Sequence, residues 1–256
     1  MAHGRYLFVS DLHLDASHPA AIAQFLAFLE TEAVRSDGLY ILGDLFESWI
    51  GDDDDEAARR RVCEALTALT RRGIACRIQH GNRDFLLGKR FSERTGCEVL
   101  PDPSLLEAGG RRIVLSHGDT LCTDDVAYQR FRRLARSRTL QRAWLALPLR
   151  ARRGLAAWGR RRSRAQVQRL PEAIMDVTPA AVADLLRTQD ADILIHGHTH
   201  RPGEHRIVVD GRTRLRLVLG DWYEQGSMLV LNADGTHERR QLAPAKGIAG
   251  TQELAG

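Results

Sequence analysis

The chain has 256 residues, 43% of them hydrophobic, and a formal net charge of +4, which is ample material for one large core. No apolar run approaches the roughly 20 residues needed to cross a bilayer, and the start Met-Ala-His-Gly-Arg-Tyr lacks a leader's apolar stretch. No membrane-spanning helix is expected, and the expectation is a cytoplasmic protein whose Cys63, Cys76, Cys97 and Cys122, without metal-type spacing, stay reduced.

In chain order, Tyr6 to Val9 reads as a buried strand, and residues 19 to 34 as a helix with Ile22, Phe25, Leu26 and Leu29 at helical spacing. Gly38 to Leu42 is a second strand. The acidic run Asp52 to Asp55, read as a solvated helix start, leads into a helix over Ala57 to Arg71. Residues 74 to 79 form a third strand, and residues 105 to 116, broken by Gly109-Gly110, predict a hairpin. After a stretch without strand pattern come a helix over 179 to 187 and a strand over 193 to 195. Strands over 206 to 209, 214 to 219 and 227 to 231 follow, then a loose tail past Ala243. Helices between early strands and antiparallel strands late in the chain predict an α+β fold of two packed sheets flanked by helices.

Just past these strands stand seven candidate metal ligands in five blocks: Asp11 and His13, Asp44, Asn82, His117, and His196 with His198. Oxygen donors mixed with imidazoles, and no thiolate, suit divalent ions such as manganese, iron or zinc at a catalytic site. Asp11 and His13 are two residues apart, as are His196 and His198, so an extended backbone points each pair to one side. The blocks are expected to converge at the carboxyl ends of neighbouring strands. Two ions about 3.5 to 4 Å apart need a shared ligand. Asp44 is expected to bridge them, with Asp11, His13 and His198 on one ion and Asn82, His117 and His196 on the other. Such a site does hydrolysis. His80 and His200 flank the motifs and are expected to support ligands by hydrogen bonds. Asp84 is counted with the catalytic groups as one that orients its neighbours, while Asp119 and Asp124 are read as turn caps.

In this order Asp-x-His, Gly-Asp, Gly-Asn-x-Asp, a lone His and Gly-His-x-His resemble the calcineurin-like metallophosphoesterases, across residues 11 to 200. Longer stretches resemble the branch of that family that acts on a UDP-linked diacylated glucosamine in lipid A biosynthesis. They are Ser10-Asp11-Leu12-His13-Leu14, Leu42-Gly43-Asp44-Leu45-Phe46-Glu47, Gly81-Asn82-Arg83-Asp84-Phe85, His117-Gly118-Asp119-Thr120-Leu121-Cys122-Thr123-Asp124-Asp125 and His196-Gly197-His198-Thr199-His200-Arg201-Pro202. The resemblance implies a four-layer αββα sandwich with an inserted helical cap, two divalent ions with manganese the usual one, and hydrolysis of the diphosphate at the phosphorus next to uridine. It puts Asn82, Arg83, Asp125, Ser163 and His196 at substrate-contacting positions, joined by Tyr128, with Asn82, Arg83 and His196 facing the charge that builds on phosphoryl oxygens. Near Ser163 the match departs: where relatives carry an Asn and a Lys this chain has Val167 and Leu170, so Gln166 and Arg169 are the adjacent polar candidates. Most of the family also carry His where this chain has Arg83. That His helps protonate an alkoxide leaving group, whereas a diphosphate expels a phosphate that needs little such help, and an arginine can instead hold phosphate oxygens with a planar fork.

Residues 121 to 176 stand apart from the core, 1 to 120 and 177 to 243, as an Arg-rich cap ahead of the tail at 244 to 256. Residues 130 to 169 hold fourteen Arg and no Asp, Glu or Lys, leaving the rest of the chain at −10 and predicting an anionic partner. Val126, Tyr128, Phe131 and Leu134, then Leu140, Trp144, Leu145 and Leu147, then Leu155 and Trp158 read as short amphipathic helices broken at Pro148 and Gly154. The resemblance makes them an apolar channel for two acyl chains. Helices of this composition also suit an anionic membrane surface, at about 1 kcal/mol per basic residue, which predicts a peripheral protein on the cytoplasmic face of the inner membrane. Two other readings stay open. One is a different nucleotide phosphohydrolase or phosphodiesterase of the family; the other is a nucleic-acid-binding module with Trp144 and Trp158 as stacking platforms. A pure binding module has no need of a full two-metal ligand set, so nucleic acid is not an expected partner.

Overall fold

The computed structural model describes residues 4–167, 176–223 and 225–242, apart from the helical side chains at 160–167. One sheet has the strand order β11-β10-β1-β2-β3-β4, built from β1 (Tyr6–Val9), β2 (Gly38–Leu42), β3 (Ala75–Gln79), β4 (Glu98–Leu100), β10 (Ser227–Leu231) and β11 (His237–Gln241). The other runs β5-β6-β7-β9-β8, from β5 (Ser104–Ala108), β6 (Arg111–Ser116), β7 (Ile193–His196), β8 (Gly203–Val209) and β9 (Arg212–Val218). In each sheet the central strands are parallel and an antiparallel hairpin closes an edge.

Side-chain alternation explains the layering. On β1, Phe8 turns inward and stacks on Tyr40 at 5.0 Å, sharing the space between the sheets with Leu42, Ile113, Leu115, Ile193, Ile195, Leu217 and Leu229. Its neighbours Leu7 and Val9 turn outward to meet Ile22, Phe25 and Leu29 of α1 (Pro19–Thr31) and Val62, Leu66 and Leu69 of α2 (Ala57–Arg71). On the far side Val114 and Leu194 pack against Val182 and Leu186 of α7 (Pro179–Thr188). The result is the expected helix-sheet-sheet-helix stack. The short α3 (Lys89–Thr95), β4 and β11 went unpredicted. In β11 the sequence His-Glu-Arg-Arg-Gln lies almost wholly exposed at an edge and offers no apolar alternation to read. The tail past Ala243 lies outside the described residues.

The insertion forms α4 (Val126–Ala135), α5 (Arg138–Leu145) and α6 (Leu149–Val167). The acidic run, expected to be solvated, is its mooring instead. Arg152 is 1% exposed and donates to Asp53 and to the Ile50 carbonyl; Arg153 and Arg59 both pair with Asp54, itself 4% exposed. Asp52 accepts from the Trp49 indole and from the Gly88 and Phe91 backbone, and the Trp144 indole donates to Ile50 O. Buried charges survive when paired and hydrogen-bonded, and these pairs join segments 99 residues apart. Glycine is required at Gly51 (φ +140), where a Cβ would stand 2.4 Å from Arg152 Nη1.

The helices leave much apolar surface outside. Val126, Phe131, Leu134, Leu140, Leu145, Leu147, Leu155 and Trp158 are all exposed. Among the described residues no helix is long and apolar enough to cross a membrane.

Candidate metal centre

The parallel strands of both sheets end on the same side, and the chain turns sharply as it leaves them. Asp11 (φ 54), His13 (φ 48) and Asp44 (φ 53) are left-handed, as are His198 (φ 69) and His200 (φ 53). Non-glycine residues pay about 1–2 kcal/mol each for that conformation, and backbone bonds hold them in it. Asp11 N donates to Gly43 O, and His13 N to Asp44 O, at 3.1 and 3.0 Å. Loops follow each other closely enough that a Cβ at Gly81 would lie 2.0 Å from Asp44 Oδ1.

Asp84, wholly buried, joins two of the loops. Its carboxylate accepts from Gly81 N and Leu45 N at 2.8 Å each, with Asp44 N at 3.3 Å and Phe46 N at 3.5 Å. Both oxygens are thus taken up by backbone, so Asp84 positions the site and does not touch reacting atoms.

Among the described residues two groups of ligand atoms result. Asp11, His13 and His200 form one, and Asp11, Asp44 and His117 the other, with the atoms of each lying within 4.8 Å of one another. Asp44 Oδ2 stands between them, 3.7 Å from His13 Nε2 and 3.9 Å from His117 Nε2, while Asp44 Oδ1 accepts from Arg83 N. Asn82 Oδ1 lies 3.0 Å from His117 Nε2 and 3.1 Å from His198 Nδ1. Because His117 Nδ1 donates to Leu42 O at 2.9 Å, the lone pair of its neutral form faces the Asn82 oxygen. With His117 charged the contact is a hydrogen bond from Nε2; with it neutral, two electron-rich atoms so close need a cation beside them.

The same demand appears elsewhere. Asp11 Oδ1 and both ring nitrogens of His13 are buried without a well-directed hydrogen bond; their nearest approaches are His200 Nε2 at 3.3 Å and Glu47 Oε2 at 3.1 Å. Burial, with the charges of Asp84 and Asp11, pushes the Asp44 carboxyl up to about 6. Burial opposes charge on His117 too, but Asp44, Asp11 and Asp119 outweigh it and hold the imidazole up to about 9. His198 is kept neutral, down at about 4, by burial and by the charge of His117. Carboxylates, an amide and imidazoles without thiolate fit hard or borderline divalent cations.

His196, also expected as a ligand, stands apart from this group in the structure. It is fully buried; Nδ1 donates to Gly197 O at 2.8 Å and Nε2 accepts from Arg216 Nε at 2.9 Å, so both nitrogens are hydrogen-bonded within the protein. Burial and Arg216 hold it neutral, at about 3. His200, expected only to support a ligand, stands beside Asp11 in its place, with Asp221 Oδ2 3.4 Å from its other nitrogen. The signal was present, since Gly197-His198-Thr199-His200 also reads Gly-His-x-His.

Of the expected substrate contacts, Arg83 is half-buried at the mouth of the group with its Nε lacking an acceptor. Asp125 caps α4 by accepting from Tyr128 N. Tyr128 lays its ring 6.1 Å from that of His198 and donates its hydroxyl to Asp119 Oδ2 at 2.7 Å, so that hydroxyl is already committed. Arg169 and the side chains of Ser163 and Gln166 lie outside the described residues, while His80 donates to Leu87 O. Sequence reasoning overlooked Tyr223, an exposed ring stacked 5.3 Å from His13, and took for a turn cap Asp119, which is fully buried.

Residues 4–202 match the profile of the calcineurin-like phosphoesterase family. A protein of Serratia proteamaculans (strain 568) named UDP-2,3-diacylglucosamine hydrolase is 48% identical over 228 residues, 89% of this chain and 95% of that one. One of Yersinia pestis bv. Antiqua (strain Angola) with the same name is 49% identical over the same shares. A solved archaeal phosphodiesterase, 11% identical, aligns over 93% of this chain and 99% of its own with a TM-score of 0.48.

Proposed function

The chain belongs to the calcineurin-like phosphoesterase family, and from that premise we propose that it hydrolyses the diphosphate bond of UDP-2,3-diacylglucosamine in lipid A biosynthesis, the substrate named for its relatives. The products are UMP and 2,3-diacylglucosamine 1-phosphate. The observation that carries the reading is the convergence of Asp11, His13, Asp44, Asn82, His117, His198 and His200 on one spot with Arg83 at its mouth.

Asp11, His13 and His200 would hold one divalent cation and Asn82, His117 and His198 a second, with Asp44 Oδ2 lying between the two sets; manganese is the ion we assign. Cations there supply the Lewis acidity that stabilises charge on phosphoryl oxygens and makes water a nucleophile at neutral pH. The side chains do the rest. The Arg83 fork binds non-bridging phosphate oxygens, which its unpartnered Nε supports. Asp44, through the Arg83 backbone N–H, sets where that arginine starts. Tyr128 walls the His198 side with its ring, and Asp84 keeps the loops of Asp44 and Asn82 in register. The leaving group is a sugar phosphate that departs as an anion, so no proton donor is needed at the position of Arg83.

Residues 121–176 act as a cap over a core made of 1–120 and 177–243, and the exposed apolar residues of α4 to α6 with their arginines suit the lipid and the anionic cytoplasmic face of the inner membrane. The nucleic-acid alternative loses ground, because Arg132, Arg152 and Arg153 are paired with carboxylates and the Trp144 indole is tied to Ile50 O. Manganese-dependent turnover of UDP-2,3-diacylglucosamine, followed by phosphorus NMR in oxygen-18 water, tests the proposal. Label in UMP is the expected result; no turnover, or equal turnover of simple alkyl phosphates, refutes it.

A further inference from the structure

α4 is a helix without a core of its own. None of its residues is buried, and Val126, Phe131 and Leu134 are 53%, 60% and 61% exposed. Apolar packing therefore does not hold it against the sandwich. What does is a set of polar side chains on one face, meeting the short turn Asp119–Leu121 that follows His117. Asp119 Oδ2 accepts from the Tyr128 hydroxyl and from Arg132 Nε, both at 2.7 Å, with Arg136 Nη2 at 3.6 Å. Gln129 donates to Asp119 O and Cys122 O. Asp119 is 0% exposed, so these charge-assisted bonds are shielded from water. The helix in turn touches the site: the Tyr128 ring lies over His198, and Arg136 donates to Gly81 O at 3.0 Å and sits 5.8 Å over the Phe85 ring.

We propose that Asp119 is a positioning residue for the substrate: by gathering Tyr128, Arg132 and Arg136 it seats α4 as the roof of the site, without touching substrate or cation itself. The substrate part of this rests on the function proposed above. Loosening the roof weakens capture of the acylated sugar while the chemistry on the phosphorus stays intact.

The test is Asp119→Ala in the full manganese-loaded chain. KM for UDP-2,3-diacylglucosamine should rise by about tenfold or more with kcat within about threefold, manganese affinity by calorimetry should fall by no more than about threefold for the lost through-space charge, and trypsin should cut between Arg130 and Arg138 about fivefold faster. Arg132→Leu should move KM and cleavage the same way, and the double variant should be no worse than Asp119→Ala alone, since both remove one interaction. An unchanged KM, additive losses, or a fall of more than about tenfold in kcat and manganese affinity alongside KM overturns the proposal. Should Asp119→Ala not fold, Arg132→Leu against the charge-keeping Arg132→Lys decides it, with rescue by Lys expected. No turnover by the wild-type chain would sink the functional reading alone; the tryptic comparison still decides whether Asp119 anchors α4.

Discussion

Asp84 is the residue whose removal is easiest to quantify. Its two short bonds, from Gly81 N and Leu45 N at 2.8 Å, are hydrogen bonds to a buried charge, each worth about 1.5–3 kcal/mol. Counting the longer contacts of Asp44 N and Phe46 N as nothing, Asp84→Ala should cost about 3–6 kcal/mol, a large part of the roughly 5–15 kcal/mol of a typical domain. In urea, with a slope of about 3 kcal/mol/M, the midpoint should fall by about 1–2 M. Because the freed amides belong to the loops of Asp44 and Asn82, manganese affinity should drop as well. Asp84→Asn keeps the volume but turns an NH2 toward donors and should recover little. A midpoint within about 0.3 M of wild type, with full manganese affinity, would mean that the clamp does not hold the two loops together.

Asp44→Ala should leave a folded chain, by circular dichroism, with turnover reduced about a thousandfold or more. His200→Ala should weaken manganese binding by calorimetry, whereas His196→Ala should lower the melting temperature but leave the ion bound; the opposite pattern would restore His196 as a ligand. The pH dependence has a definite sign. His196, held at about 3 when folded against an ordinary 6.5, binds a proton on unfolding, so its contribution to stability is complete above pH 6.5 and is lost as pH falls toward 3. Urea titrations from pH 7 to 4 should therefore be steeper for the wild-type chain than for His196→Gln. Co-sedimentation with anionic vesicles at low salt should fall about tenfold when Phe131 and Leu134, both exposed on α4, become Ser; unaltered binding would place the membrane contact elsewhere.

The sandwich was legible because the strands announce themselves: Tyr6–Val9, Gly38–Leu42 and Ser227–Leu231 appear with the expected bounds, and each ligand block follows a strand end. The choice between His196 and His200 was not. All three histidines are two apart, and extended geometry puts them on one side; only the turns at His198 and His200 send them in different directions from His196, which is still on β7. Nor does sequence reveal that Asp53 and Asp54 meet arginines 99 residues away, since charge runs look alike whether solvated or paired. Asp119 was hidden in a different way. Beside a histidine block it resembles any turn cap, and its three partners lie on a helix whose docking is a tertiary fact.

The left-handed residues around the cations also have an evolutionary consequence. Asp11, His13, Asp44, His198 and His200 occupy backbone positions for which glycine is the natural occupant. A descendant released from catalysis would therefore drift toward a sturdier fold by losing these very side chains, so heat resistance and turnover should move in opposite directions in any library randomised at those five positions.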